Sequence, residues 1–133
     1  MKGRRKLRRA LAFADPRSGS PGESISRAVM HEYGFPAPEL QTEFRDRRGL
    51  AGIVDFWWPE FQLIGEFDGR SKYTDDVLLG GRTPADVVIA EKAREDRLRA
   101  LGPRVTRWDW MTVIGEGLGM HLVQAGLPRR AHV

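Results

Sequence analysis

The sequence contains no cysteine, which excludes disulfide bonds and zinc sites built from thiolates. No apolar run approaches the roughly 18 residues that a membrane-spanning helix needs, and no apolar segment follows the basic N-terminus as it would in a signal peptide. We therefore expect a cytoplasmic protein with no membrane partner. The 133 residues suit one domain with a core of its own.

Positive charge is concentrated at the N-terminus, although the net charge of the chain is only +4. Residues 1–9 hold six of the 22 basic residues, and the remainder carries 16 basic against 18 acidic residues. This block is either a solvated tail or an arm lying along nucleic-acid phosphates. We divide the chain into a basic arm or helix over residues 1–17 and a domain over residues 18–133. The candidate nucleic-acid-binding residues are Arg4, Arg5, Lys6, Arg8 and Arg9.

The pattern of caps, turns and apolar residues predicts an α/β or α+β domain. Ser20 and Thr83 each precede proline as helix N-caps, which predicts helices running to about Tyr33 and Leu101. Strands are predicted over residues 39–44, 53–57, 61–67 and 104–108, and the tail from Trp110 has helical segments interrupted by glycines. The short connections between the first three strands imply an antiparallel meander.

Three acidic residues in the second and third strands are the candidate metal ligands. Asp55 lies in an otherwise apolar strand, where a carboxylate costs free energy unless something pairs with it. If the hairpin turns at residues 60–61, Asp55 faces Glu66 with Cβ atoms about 5 Å apart, and Asp68 lies on the same face as Glu66. Such a cluster suits Mg²⁺ or Mn²⁺; the alternative is a hairpin with exposed polar ends.

Other charged residues have an ordinary and a functional interpretation. Glu23 completes a capping box with Ser20, or it is a further metal ligand if the helix packs over the hairpin. Lys72 and Lys92 are solvated charges, or one of them orients water or stabilises the phosphate. Helical periodicity turns Lys92 away from the sheet, which favours Lys72.

Arg94 falls on the apolar stripe of its predicted helix. An arginine there requires a buried partner, and the carboxylate cluster is a reasonable candidate. The other residues of this stripe are Val87, Ala90, Leu98 and Leu101.

Glu23 on an opening helix, Asp55, and then Glu66-x-Asp68-Gly69 resemble the PD-(D/E)XK nuclease superfamily. The later stretches over residues 91–98 and 101–108 are similar to the branch related to very-short-patch-repair endonucleases. The resemblance covers about residues 18–112, and bacterial proteins with this domain often place a winged-helix, antitoxin-like module before it. It implies a restriction-endonuclease-like αβββαβ core, with a mixed sheet flanked by helices, and metal-dependent phosphodiester cleavage.

Carried over by position, the resemblance makes Glu23, Asp55 and Glu66 the acidic ligands. In the endonuclease that we expect, Asp55 and Glu66 bind the metal, and Glu23 and Asp68 assist by direct or water-mediated contact. Two residues depart from the pattern, since Val54 replaces a loosely kept proline and Asp68 stands where a lysine is usual. The expected function is a Mg²⁺- or Mn²⁺-dependent endonuclease acting on DNA, with RNA and a homodimer left open. The alternative is a catalytically inactive nuclease-fold module that acts in nucleic-acid binding or regulation.

Overall fold

The computed structural model describes residues 20–69 and 81–129, and these form one mixed four-stranded sheet between helices. The helices are α1 (Pro21–Glu32), α2 (Pro84–Ala100), α3 (Trp110–Ile114) and α4 (Leu118–Gln124). The strands are β1 (Glu39–Asp46), β2 (Gly49–Trp58), β3 (Leu63–Asp68) and β4 (Arg104–Asp109), with a 3-10 turn at Pro59–Phe61. The predicted α/β class and the αβββαβ order are confirmed.

The sheet has the strand order β1-β2-β3-β4. The first three strands pair antiparallel as the predicted meander, and β4 pairs parallel with β3 after the α2 crossover. Gln62 adopts a left-handed conformation after the 3-10 turn and closes the β2–β3 connection. Both helix starts follow the sequence signals, because Ser20 and Thr83 accept backbone hydrogen bonds as N-caps of α1 and α2.

One face of the sheet carries an aromatic core. Phe56 and Trp108 stack with ring centroids 5.5 Å apart, and Phe56 also stacks on Trp58. Helices α1, α3 and α4 pack residues such as Ile25 and Leu122 against these rings. The rings therefore hold the sheet and three helices together.

The other face is covered by α2 and has a smaller core. Leu98 of α2 is fully buried among Ala51, Val54 and Ile64. The predicted stripe of α2 is only partly correct, because Val87 and Leu98 are buried while Ala90 and Leu101 are exposed. The helix instead approaches the sheet through charged side chains.

Some predictions lie outside the described residues. These concern the N-terminal arm and its basic residues, Lys72, and the division of the chain near residue 17. Within residues 20–69 and 81–129, no helix combines the length and apolar character needed to cross a bilayer.

Candidate functional site

A row of polar side chains crosses all four strands. Phe56 pairs with Gly65, and the same register sets Asp55 across from Glu66, as the sequence predicted. Glu66 is in turn the parallel partner of Arg107 on β4. On β1, Gln41 lies between the partners of Phe56 and Val54, which places it beside Asp55.

Among the described residues, Asp55 is the carboxylate whose protonation the fold alters most clearly. Burial raises the pKa of Asp55 from 3.8 to about 7, and the charge of Glu23, a hydrogen bond with Glu23 and the charge of Glu66 act in the same direction. The backbone N–H of Phe67 opposes this shift by donating to Asp55 Oδ2 at 2.9 Å. Near neutral pH, Asp55 therefore populates both its protonated and its ionised form.

Glu23 is both a cap and a member of this site. Its Oε2 accepts from the Ser20 backbone N–H at 3.1 Å, and its Oε1 accepts from Gln41 Nε2 at 2.7 Å. Gly22 allows the start of α1 to lie close to β3, because a Cβ at this position would be 1.9 Å from Phe67 Cε1. The capping and site roles therefore coexist in one side chain.

Glu66 is paired with arginines from a helix and a strand. Arg94 Nη1 donates to Glu66 Oε1 at 2.7 Å, and Arg94 Nη2 donates to Oε2 at 3.1 Å. Hydrogen bonding to Glu66 raises the pKa of Arg94 above its usual value. The structure thus confirms that the carboxylate cluster supplies the partner of Arg94.

Arg107 links the same carboxylate to α2. Its Nη2 lies 3.4 Å from Glu66 Oε1, and its Nε donates to Glu95 Oε1 at 2.9 Å. Its Nη1 lies 3.6 Å from Glu91 Oε2. The guanidinium therefore bridges β3 and α2 at the edge of the site.

These groups line a cavity of about 280 Å³. Among the described residues, four carboxylates and two guanidinium groups face it, so this part of its lining is negative when all of them are ionised. The lining residues are Ile53, Asp55, Glu66, Phe67, Asp68, Gly69, Glu91, Arg94 and Arg107. Such a cavity favours a cation over a free anion.

The oxygen donors at this cavity are of the kind that a hard cation prefers, but not all of them are available to bind one. Carboxylate oxygens are the ligands that Mg²⁺ and Mn²⁺ prefer, and Asp55 and Glu23 already lie together. Both oxygens of Glu66 accept from the charged Arg94 guanidinium, which neutralises this carboxylate, whereas the donors to Glu23 are neutral amides of Ser20 and Gln41. Within the part of the chain that the structure describes, no three His, Asp or Glu side chains form a group that could hold a metal ion. The fit is therefore to Asp55 and Glu23.

The predicted residues are distributed unevenly with respect to this site. Asp55, Glu66 and Asp68 line the cavity, and Glu23 contacts Asp55 beside it. Lys92 is not brought there, because it is exposed on α2 and bonds Asp96 at 2.9 Å. Lys72 and the basic residues of the arm lie outside the described residues.

Sequence reasoning missed three residues of the site, namely Gln41, Glu91 and Arg107. Arg107 was within reach, since pairing the predicted fourth strand parallel to the third sets it beside Glu66. Gln41 has a φ of 49°, a left-handed conformation that is uncommon outside glycine and that no local pattern announces. It therefore emerges only from the folded sheet.

A second cavity, of about 370 Å³, lies between α1 and the segment over residues 35–38. Ala28, Met30 and Phe35 give it an apolar lining, to which Arg27 and His31 add charge or polarity. Glu32 is the one carboxylate among the described residues of this lining. The paired carboxylates thus distinguish the smaller cavity as the candidate site.

Comparison with known proteins supplies relatives without an activity. No family model matches the chain. Two uncharacterized proteins of Mycobacterium tuberculosis, one from strain CDC 1551 / Oshkosh and one from strain H37Rv, are each 35% identical to it over 104 residues. These matches cover 76% of this chain and 35% of each relative, so the chain spans about a third of the length of the curated relatives it matches. No solved structure matches.

Proposed function

We propose that this chain is a divalent-metal-dependent endonuclease domain that hydrolyses DNA phosphodiester bonds. The observation that carries the proposal is the half-buried Asp55 carboxylate, held beside Glu23 and across from Glu66 at a cavity. Such an arrangement is unfavourable when the carboxylates are ionised and becomes favourable when a cation neutralises them. The cytoplasm, where DNA and Mg²⁺ meet, is the compartment that fits this activity.

Asp55 and Glu23 are the residues that would hold Mg²⁺ or Mn²⁺. When bound, such a cation supplies the Lewis acidity that phosphodiester hydrolysis uses. Phe67 orients Asp55 through its backbone N–H, while Ser20 and Gln41 orient Glu23. Asp68 adds a carboxylate to the same cavity, and Arg107, which pairs with Glu91, also lines it.

The test is a plasmid-nicking assay with Mg²⁺, Mn²⁺ or chelator. Asp55→Asn should lower nicking by at least about 100-fold, the low end for a positioned catalytic group. It should also abolish Mn²⁺ binding in calorimetry. The matched control is Asp46→Asn, because Asp46 pairs with Arg97 away from the cavity. Equal activity of wild type and Asp55→Asn would reject the proposed site.

The DNA contact is proposed for the N-terminal arm, since the described lining of the cavity is negative. Deleting residues 1–9 changes the formal charge from +4 to −2 by removing six basic residues. If the arm contacts phosphates, DNA affinity falls and its dependence on salt flattens, because fewer counterions are released. An unchanged salt slope would show that the arm is a passive tail.

One observation favours a second candidate, an inactive nuclease-fold module that binds nucleic acid. Glu66, an acidic ligand by the resemblance, is closed by Arg94, and Asp68 adds negative charge where a lysine is expected. This candidate predicts DNA binding that is independent of metal, with no nicking under any cation. The same assay and calorimetry therefore discriminate between the two functions.

A further inference from the structure

Both oxygens of the Glu66 carboxylate are hydrogen-bonded on the side that faces α2. Its side chain is 9% exposed, and Arg94 donates one hydrogen bond to each of its two oxygens. Arg107 approaches Oε1 as a second guanidinium at 3.4 Å. A bidentate guanidinium occupies one lone pair on each oxygen, the two positions through which the carboxylate would otherwise chelate a metal ion.

The sheet provides a place for the Arg94 guanidinium. A Cβ at Gly52 would lie 3.0 Å from Arg94 Nε and 3.1 Å from Nη2, so glycine leaves the room that the group occupies. Arg94 Nη2 also donates to the Ile53 carbonyl at 2.9 Å. The guanidinium is therefore fixed by the backbone of β2 as well as by Glu66.

We propose that Arg94 is the permanent counter-ion of Glu66 and keeps this carboxylate out of the ligand set of the metal. The inference rests on the proposed metal function and narrows it, because Asp55 and Glu23 then bind the ion without Glu66. Glu66 becomes a positioning residue that anchors α2 over the cavity.

The same helix offers a matched control. Arg97 donates from Nε to Asp46 Oδ2 at 2.8 Å, and its Nη2 pairs with Oδ1 at 2.6 Å. This pair has the same bidentate form and joins the same helix to the sheet, but neither residue lines the cavity. Arg97→Met thus removes a comparable ion pair without freeing a carboxylate in the site.

The experiment is Mn²⁺ titration calorimetry on the full chain, with folding of each variant checked by circular dichroism. Glu66→Gln should retain Mn²⁺ affinity to within about threefold, whereas Asp55→Asn should lose it. Arg94→Met should bind Mn²⁺ about tenfold more tightly, because the freed Glu66 adds a charged ligand. Arg97→Met should bind as the wild type does.

Each outcome separates this inference from the proposed function. Loss of Mn²⁺ binding in Glu66→Gln as complete as in Asp55→Asn would make Glu66 a ligand and overturn the inference, while the metal site stands. Binding in Arg94→Met but not in the wild type would support the inference and reject the proposed function. Binding in neither would reject both.

A less disruptive variant covers the case in which Arg94→Met does not fold. Arg94→Lys keeps the positive charge but cannot bridge two oxygens at once. It should raise Mn²⁺ affinity by less than Arg94→Met, and an affinity equal to that of the wild type would count against the inference.

Discussion

The two faces of the sheet are built from different materials. Among the described residues, the face under α1, α3 and α4 has twelve buried hydrophobic residues in one cluster, while the face under α2 has four. In place of a larger core, α2 is joined to the sheet and its edge by Arg94, Arg97 and Arg107 through their carboxylate partners. The same sheet is thus packed by aromatic rings on one side and by ion pairs on the other.

This difference separates stability from chemistry. Aromatic packing contributes most of its free energy through burial and is insensitive to pH and salt. Ion pairs contribute less net free energy, because desolvation offsets their attraction, but they fix the positions of charged groups. We infer that the aromatic face carries the stability of the domain and that the α2 face holds the cavity in shape.

The largest expected effect tests this division with two tryptophans. Trp108 is 3% exposed, stacks on Phe56, and donates to Ser26 Oγ at 2.9 Å. Trp108→Ala should lower the free energy of unfolding by about 3–5 kcal/mol, the range for removing a buried aromatic side chain. Urea denaturation followed by circular dichroism measures this loss.

The control for Trp108 is Trp57 on the α2 face. Trp57 is half-buried and packs edge-on against Phe44. Trp57→Ala should cost about 1–2 kcal/mol, since less of its surface is removed from water. Equal losses in the two variants would break the comparison between the faces.

Much of this architecture could be predicted because it depends on local chemistry. Ser20 and Glu23 announce α1 through a capping box, and the hairpin position sets Asp55 across from Glu66. The position of Arg94 on the predicted apolar stripe was enough to predict a carboxylate partner, although the stripe itself is only partly correct. Each of these depends on spacing along the chain or on a single strand pairing.

The remaining features depend on how distant elements dock. That Arg94 closes both oxygens of Glu66 follows from the depth at which α2 lies over Gly52, which no local pattern encodes. The hydrogen bond from Gln41 to Glu23 likewise needs β1 and α1 in place. Sequence reasoning therefore found most carboxylates of the site but not the hydrogen bonds that both oxygens of Glu23 and of Glu66 accept.

The second prediction concerns pH and the α2 face, whose ion pairs hold the cavity. Asp55 has a pKa of about 7 in the folded chain against 3.8 ordinarily, so between these values the folded state holds a proton that the unfolded state has released. Stability should therefore fall as pH rises from about 4 to 7. Asp55→Asn should remove this fall, as measured by thermal unfolding with chelator present, and identical pH profiles would contradict the assignment.

Asp46, which pairs with Arg97 of α2, should give a pH dependence of stability opposite in sign to that of Asp55. The hydrogen bond from Arg97 is the largest cause that lowers the pKa of Asp46 from 3.8 to about 2. Its contribution is complete above about pH 4 and should be lost as pH falls towards 2. Asp46→Asn should consequently alter the acid limb of the profile and leave the range from 4 to 7 unchanged.

The smallest effect on stability and activity is expected at the solvent-exposed side of α2. Lys92 pairs with Asp96 four residues on, and their side chains are 69% and 57% exposed. Exposed pairs of this kind contribute little, because water and salt screen them. Lys92→Ala should leave both the melting temperature and plasmid nicking at wild-type values. A loss of nicking with an unchanged melting temperature would instead show that Lys92 takes part in the reaction and that the site extends to the exposed side of α2.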